Sequence, residues 1–190
     1  QAERLHLGIA GGWQDQYASV FGGFNFIEFH PEENIVSPIR LQSDIALELE
    51  ESLVLCDTGI DHHSGNIHDD QKQTMESGSV QKLVNKNVEL SYSTRKHLLK
   101  GDLVKFGECL DTAWRLKRNF SSMISNDYID AIYEGALENG ALGGKLLGAG
   151  GGGFFIFYVL PFKKNSLISY LKSKNLAIQP FRFEPDGLKT

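Results

Sequence analysis

The chain has 190 residues, enough for one domain with a real core or for two small lobes sharing an interface. Its 41% hydrophobic and 23% charged residues fit a soluble globular protein, and a formal net charge of −5 with scattered basic residues leaves no footprint for nucleic acid. No run of about 18 apolar residues exists to span a membrane, and charges occupy the start (QAERLHLGIAGG), where a signal peptide needs an apolar stretch.

Only Cys56 and Cys109 are present, far apart and in no metal or CxxC spacing, so the expectation is a cytoplasmic protein with reduced thiols. Residues 1–7 read as the tail of an amphipathic helix. In GGWQDQYASVFGG (11–23), Asp15 stands between Gln14 and Gln16 at the start of a short helix. FNFIEFH (24–30) alternates apolar and polar residues as a half-buried strand does. PEE predicts a turn, and Pro38 in NIVSPIRL places the next strand at an edge or ends it nearby. IALELEESLVLCDTG is expected to add a second alternating pair of strands, so residues 24 to 57 read as an antiparallel sheet with short connections.

After Asp57 the pattern changes. DHHSGNIHDDQKQTMESGS is polar and reads as a loop, and from Val80 to Asn139 the apolar period becomes helical. Leu103, Phe106, Leu110 and Trp114 share one helix face. A second helix has Ser125 or Asn126 as its cap, Ile129, Ile132, Tyr133 and Ala136 along one face, and Gly140 as its stop. FFIFYVL (154–160) is a continuous apolar run expected as a central strand, KKNSLISYLKSKN as a surface helix, and AIQPFRF as a closing strand. The order predicts an α+β fold, a mainly antiparallel sheet with helices packed on one face.

Two glycine segments formally resemble phosphate motifs. GAGGGG (148–153) satisfies GxGxxG, and GALGGKL (140–146) echoes a Walker loop. A dinucleotide fingerprint must follow a strand and open a helix, whereas here a helix is expected before the glycines and a strand after them. A Walker loop needs Ser or Thr after its Lys, and Lys145 is followed by Leu146. Neither motif is assigned. The run is a flexible connector or a place where backbone approaches a ligand or another loop, exposing N–H groups to an anion; the entropic cost of successive glycines favours close approach.

Asp15 has two readings. It complements the dipole of its helix, or it is a carboxylate held by Gln14 and Gln16, with Gly11 and Gly12 leaving room for a substrate whose hydroxyl it orients or deprotonates. His62, His63 and His68 have no recognised ligand spacing, and no metal ligands are assigned. A polar substrate-facing loop is the preferred reading there, with Thr58, His62 or His63, and Ser64 as hydrogen-bond donors.

Together, GGWQDQYASVFGGFNFIEF and GGKLLGAGGGGFFIFYV resemble, in the same order, the C-terminal half of GHMP-family small-molecule kinases (galacto-, homoserine, mevalonate and phosphomevalonate kinases). Within that group they are most similar to the heptose 7-phosphate kinase-like sugar kinases, and the resemblance covers nearly the whole chain. It implies a ferredoxin-like C-terminal domain and transfer of the γ-phosphoryl of ATP, with Mg²⁺, to a hydroxyl of a sugar or sugar phosphate. Asp15 then matches the catalytic base or positioning group, with Gly11, Gly12, Gln14, Gln16, Thr58, Gly59, His62 and Ser64 around the substrate. Gly148, Ala149, Gly150, Gly151, Gly152 and Gly153 match a loop lying against the nucleotide's phosphate loop.

The sequence departs from the family pattern in two places. GIDHHSG stands where an Arg-containing loop is expected, and no PxxxGLGSSA segment occurs. The implied organisation is residues 1–23 as a remnant of the inter-lobe helix and substrate segment, 24–190 as the C-terminal domain, and an absent N-terminal nucleotide-binding half. Such a chain is expected to lack kinase activity alone and to self-associate through the exposed lobe interface. The alternatives are a non-catalytic module of this fold that binds a ligand or partner, and an α+β domain whose glycines are only a hinge.

Overall fold

The computed structural model describes residues 13–60 and 81–189. A short helix, α1 (Gln14–Phe21), leads into a hairpin of β1 (Phe24–Phe29) and β2 (Asn34–Ile39), which forms a two-stranded sheet of its own. The His30 amide donates to the Glu33 carbonyl at 3.0 Å and closes the expected Pro-Glu-Glu turn. Pro38 lies opposite Asn25 in a strand whose other edge is unpaired among the described residues, which is where a residue without an N–H is tolerated.

Next come α2 (Ser43–Ser52), β3 (Leu53–Asp57), α3 (Gln81–Leu99), α4 (Leu103–Lys117), α5 (Asp127–Glu138), β4 (Ala141–Leu146), β5 (Phe154–Val159), α6 (Lys164–Ser173) and β6 (Ala177–Gln179). The second sheet is antiparallel throughout, in the order β4-β5-β3-β6. From β3 onward, a strand, helices, two adjacent strands, a helix and a last strand in that order form the split βαβ topology of ferredoxin-like folds.

The composition of β5 follows from its place. Phe155, Phe157 and Val159 pack with Trp114, Ile129, Ile132, Tyr133, Leu167 and Leu171 on one face. Ile156 and Tyr158 join Leu49, Leu53, Leu98 and Leu103 on the other. An internal strand covered on both sides needs no polar alternation. The expected face of α5 is fully realised, with Ile129, Ile132, Tyr133 and Ala136 all buried. Asn126 is its cap, its side chain accepting from the Ile129 amide at 2.9 Å, and Gly140 ends it at φ +105°.

Three expectations are corrected. Residues 43–52 are helical, not a strand, because Ile45 and Leu49 face inward one turn apart while Leu47 is 63% exposed. The hairpin and β3 consequently belong to different sheets. Residues 141–146, not a helix, directly precede the glycine run. Gly143 and Gly144 hide this strand from a propensity reading, yet they are what it requires: a Cβ on Gly143 would lie 2.1 Å from the Gly107 carbonyl of α4. The closing strand is short, ending at Gln179.

Candidate functional site

The glycine run is the connection of an antiparallel hairpin between β4 and β5. The Leu147 amide donates to the Phe154 carbonyl at 2.8 Å and closes its base. Beyond that base, the backbone is held from two sides. The Gly153 carbonyl accepts both the Thr58 amide and the Thr58 hydroxyl, each at 2.8 Å, while the Gly153 amide donates to the Ile60 carbonyl at 3.1 Å. On the other side the Gly151 amide donates to the Ile124 carbonyl at 2.8 Å, just before α5.

Close approach explains the composition of the loop. A Cβ on Gly152 would sit 2.4 Å from the Ile60 carbonyl, and Gly150, at φ +120°, has the Ile124 backbone 3.0 Å from where its Cβ would be. Thr58 is buried, and the Gly59 amide donates to the Asp57 carboxylate at 2.9 Å, which turns the chain as it leaves β3. The amides of Gly148, Ala149, Gly150 and Gly152 have no hydrogen-bond partner among the described residues. Unpaired N–H groups on one short loop make a receptor for anionic oxygen.

Two lysines that the sequence reading did not assign stand beside this loop. Lys117, at the end of α4, donates its Nζ to the carbonyls of Gly148 at 2.6 Å and Leu146 at 3.1 Å. Burial, with the neighbouring charge of Lys145 as a smaller cause, pulls its pKa down to about 7. Burial also lowers the pKa of Lys145, in β4. Lys145 drew attention in the sequence only as a failed Walker lysine, and Lys117 had no motif around it.

The structure therefore brings Thr58, Gly59 and residues 148–153 together. Asp15 is exposed in the first turn of α1, its backbone carbonyl accepting from the Ser19 hydroxyl at 2.8 Å. Gln14 beside it is exposed and Gln16 half-buried. The helix docks on the hairpin through Tyr17, whose hydroxyl accepts from Asn34 at 2.9 Å, and on the C-terminal segment, where the Leu188 amide donates to the Ser19 carbonyl at 3.1 Å. Gly11, Gly12, His62, His63, Ser64 and His68 lie outside the described residues. Among the described residues, no three His, Cys, Asp or Glu side chains gather as a metal site, and no helix is long and apolar enough to cross a membrane.

Comparison with known proteins bears on the same segments. Residues 94–175, from α3 through the glycine loop to the end of α6, match the family described as GHMP kinases C terminal. The whole chain is 38% identical, over 191 aligned positions, to a D-glycero-alpha-D-manno-heptose 7-phosphate kinase of Campylobacter jejuni, covering 56% of that protein. A crystal structure of a D-glycero-D-manno-heptose 1-phosphate kinase from Bacteroides thetaiotaomicron superposes at a TM-score of 0.68 and 31% identity, over 99% of this chain and 52% of that one. The mevalonate kinase of L. major shares the fold at a TM-score of 0.77 and 23% identity, over 96% of this chain and 56% of its own. The chain thus spans about half the length of the relatives it matches.

Proposed function

The chain carries the C-terminal domain of the GHMP kinases, and from that premise we propose that it is the C-terminal portion of an ATP-dependent sugar kinase whose acceptor is a heptose or related sugar phosphate. The glycine loop carries this reading. Four amides without partners among the described residues, on a backbone clamped by Thr58, Ile60 and Ile124, present fixed dipoles to a phosphoryl group at no cost in reorganisation. ATP supplies the phosphoryl group in such a reaction. Residues 148–153 would lie against it, and Lys117 fixes the carbonyls of Leu146 and Gly148 at the start of the loop. Mg²⁺ would come with the nucleotide, held through its phosphates, since among the described residues no three His, Cys, Asp or Glu side chains gather.

Asp15 is the proposed base or positioning group for the acceptor hydroxyl, with Gly11, Gly12, Gln14, Gln16, Thr58, Gly59, His62 and Ser64 about the sugar. In this reading residues 1–23 belong to the junction with a nucleotide-binding half, 24–190 form the C-terminal domain, and the protein works in the cytoplasm. Val20, Phe21, Phe29 and Ile35, all at least 40% exposed on α1 and the hairpin, form the surface the other half covers. A chain lacking that half is inactive and self-associates there.

The test uses the longer protein containing this chain, assayed for ADP release with a panel of sugars and sugar phosphates. Asp15→Asn is expected to lower kcat by at least about 100-fold, the scale of a lost general base. Turnover by residues 1–190 alone, or full turnover by the Asp15→Asn protein, would overturn the assignment.

A further inference from the structure

A cavity of about 300 Å³ lies between the β1–β2 hairpin, α3, α4 and β4, away from the clamped glycines but sharing Lys145 with their strand. That volume is at the lower end of small-ligand sites. Its walls carry two cations, Arg95 from α3 and Lys145 from β4, and no carboxylate. Neither cation has an ion pair among the described residues. The Arg95 guanidinium lies 4.7 Å over the Phe26 ring, and its Nε is buried without a hydrogen-bond partner.

An acceptor is orphaned beside it. Asn25 donates its Nδ2 to the Gly22 carbonyl at 2.8 Å, which fixes the amide's orientation, and its Oδ1 is buried with no partner. Ser91 and Thr94, on the same wall, donate their hydroxyls to carbonyls of their own helix at 2.9 and 2.7 Å. Buried polar groups in folded proteins are otherwise nearly always paired, and an unpaired buried cation is costlier still. A partner that brings a negative charge for Arg95 and Lys145 and a hydroxyl donor for Asn25 would satisfy all three.

We propose that this cavity is the subsite for the phosphate already present on a phosphorylated sugar, with Arg95 and Lys145 pairing the phosphate and Asn25 Oδ1 accepting from a sugar hydroxyl. The assignment deepens the kinase reading and rests on it for the sugar, but the orphaned groups exist whatever the reaction. Placement supports it as well. Lys145 immediately precedes Leu146, whose carbonyl Lys117 holds, so the cavity and the glycine loop share one strand and one pair of neighbouring charges.

Calorimetric titration of the chain with inorganic phosphate, D-mannose 6-phosphate, D-mannose and ADP tests the proposal. The phosphosugar should bind at least tenfold tighter than mannose, and Arg95→Gln and Lys145→Met should each remove that preference. Asn25→Asp keeps the side chain's size but exchanges the donor to Gly22 for an acceptor and puts a carboxylate in the cavity that both cations line, so it should abolish phosphosugar binding while the thermal melt stays cooperative. That pairing of outcomes separates a binding role from misfolding. No saturable binding of phosphate or the phosphosugar, discrimination that survives all three variants, or ADP as the ligand lost in Arg95→Gln would each overturn it. Turnover, assayed on the longer protein that contains this chain, is a separate readout. Phosphosugar bound through Arg95 and Lys145 without being phosphorylated would sink the kinase reading alone. Equal turnover of neutral and phosphorylated sugars by wild type and Arg95→Gln would sink the subsite alone.

Discussion

At Gly152 a methyl group would meet a carbonyl oxygen at 2.4 Å, whereas at Gly148 it would meet nothing within 4 Å. Gly148→Ala therefore carries only the strain of a left-handed residue at φ +64°, about 1 kcal/mol. Gly152→Ala forces two backbones apart and should cost at least ~2 kcal/mol, a contrast that urea denaturation resolves. Gly148→Ala is consequently the substitution that probes the loop's chemistry in a folded chain. Lys117 gives a pH signature. Its proton leaves near pH 7 in the folded state but near the ordinary lysine value of 10.5 when unfolded. Between those values the unfolded chain binds more protons, so stability rises with pH across that window, and Lys117→Met should flatten the rise in a series of melts. A neutral amine still has two N–H bonds for the two carbonyls it holds, so the clamp survives deprotonation. The close approach at the glycines was legible because successive glycines are unusual in any loop. Lys117 and Lys145 were not, since what distinguishes them is burial beside a loop contributed by another element.

Among the elements, legibility followed the period of the apolar residues. The α5 face, its Asn126 cap and the Gly140 stop could be read directly because local sequence decides all three. The α2 segment failed because its Ile45, Leu47 and Leu49 alternate by chance, and only tertiary contact shows that Leu47 is solvent-facing. Strand β4 failed for the opposite reason: its glycines serve the helix lying across it. Gly107 of α4 and Gly143 of β4 let the two backbones touch, and Tyr158 closes over Gly107, where a Cβ would stand 2.4 Å from its ring. Gly143→Ala should then destabilise the fold by roughly 2–3 kcal/mol through overpacking, and denaturation midpoints at an unchanged m-value would register it. The shared strand also predicts that this substitution loosens the glycine loop, seen as weaker phosphate binding at temperatures where the chain is still folded.

For the whole molecule, the ferredoxin-like unit and the hairpin differ in how they are held. The four-stranded sheet has a hydrophobic cluster on each face, with Phe155, Phe157 and Tyr158 at most 1% exposed. The hairpin contributes Phe24 and Ile39 to one of those clusters, but every residue of β1 and β2 is at least partly exposed. The α+β class followed from the order of elements, while the division into two sheets did not, because strand partners are chosen by long-range packing.

The isolated hairpin has a consequence in the time domain. Among the described residues no third strand pairs with this hairpin, and a pair of strands with two open edges opens by local fraying, whereas an internal strand such as β5 opens only with the sheet. Amide protons of β1 and β2 should therefore exchange with deuterium at least about tenfold faster than those of β5. Any molecule that adds a strand to either edge would slow the hairpin's exchange and leave β5 unchanged, making the exchange rate of these two strands a clock that reports what is docked beside them.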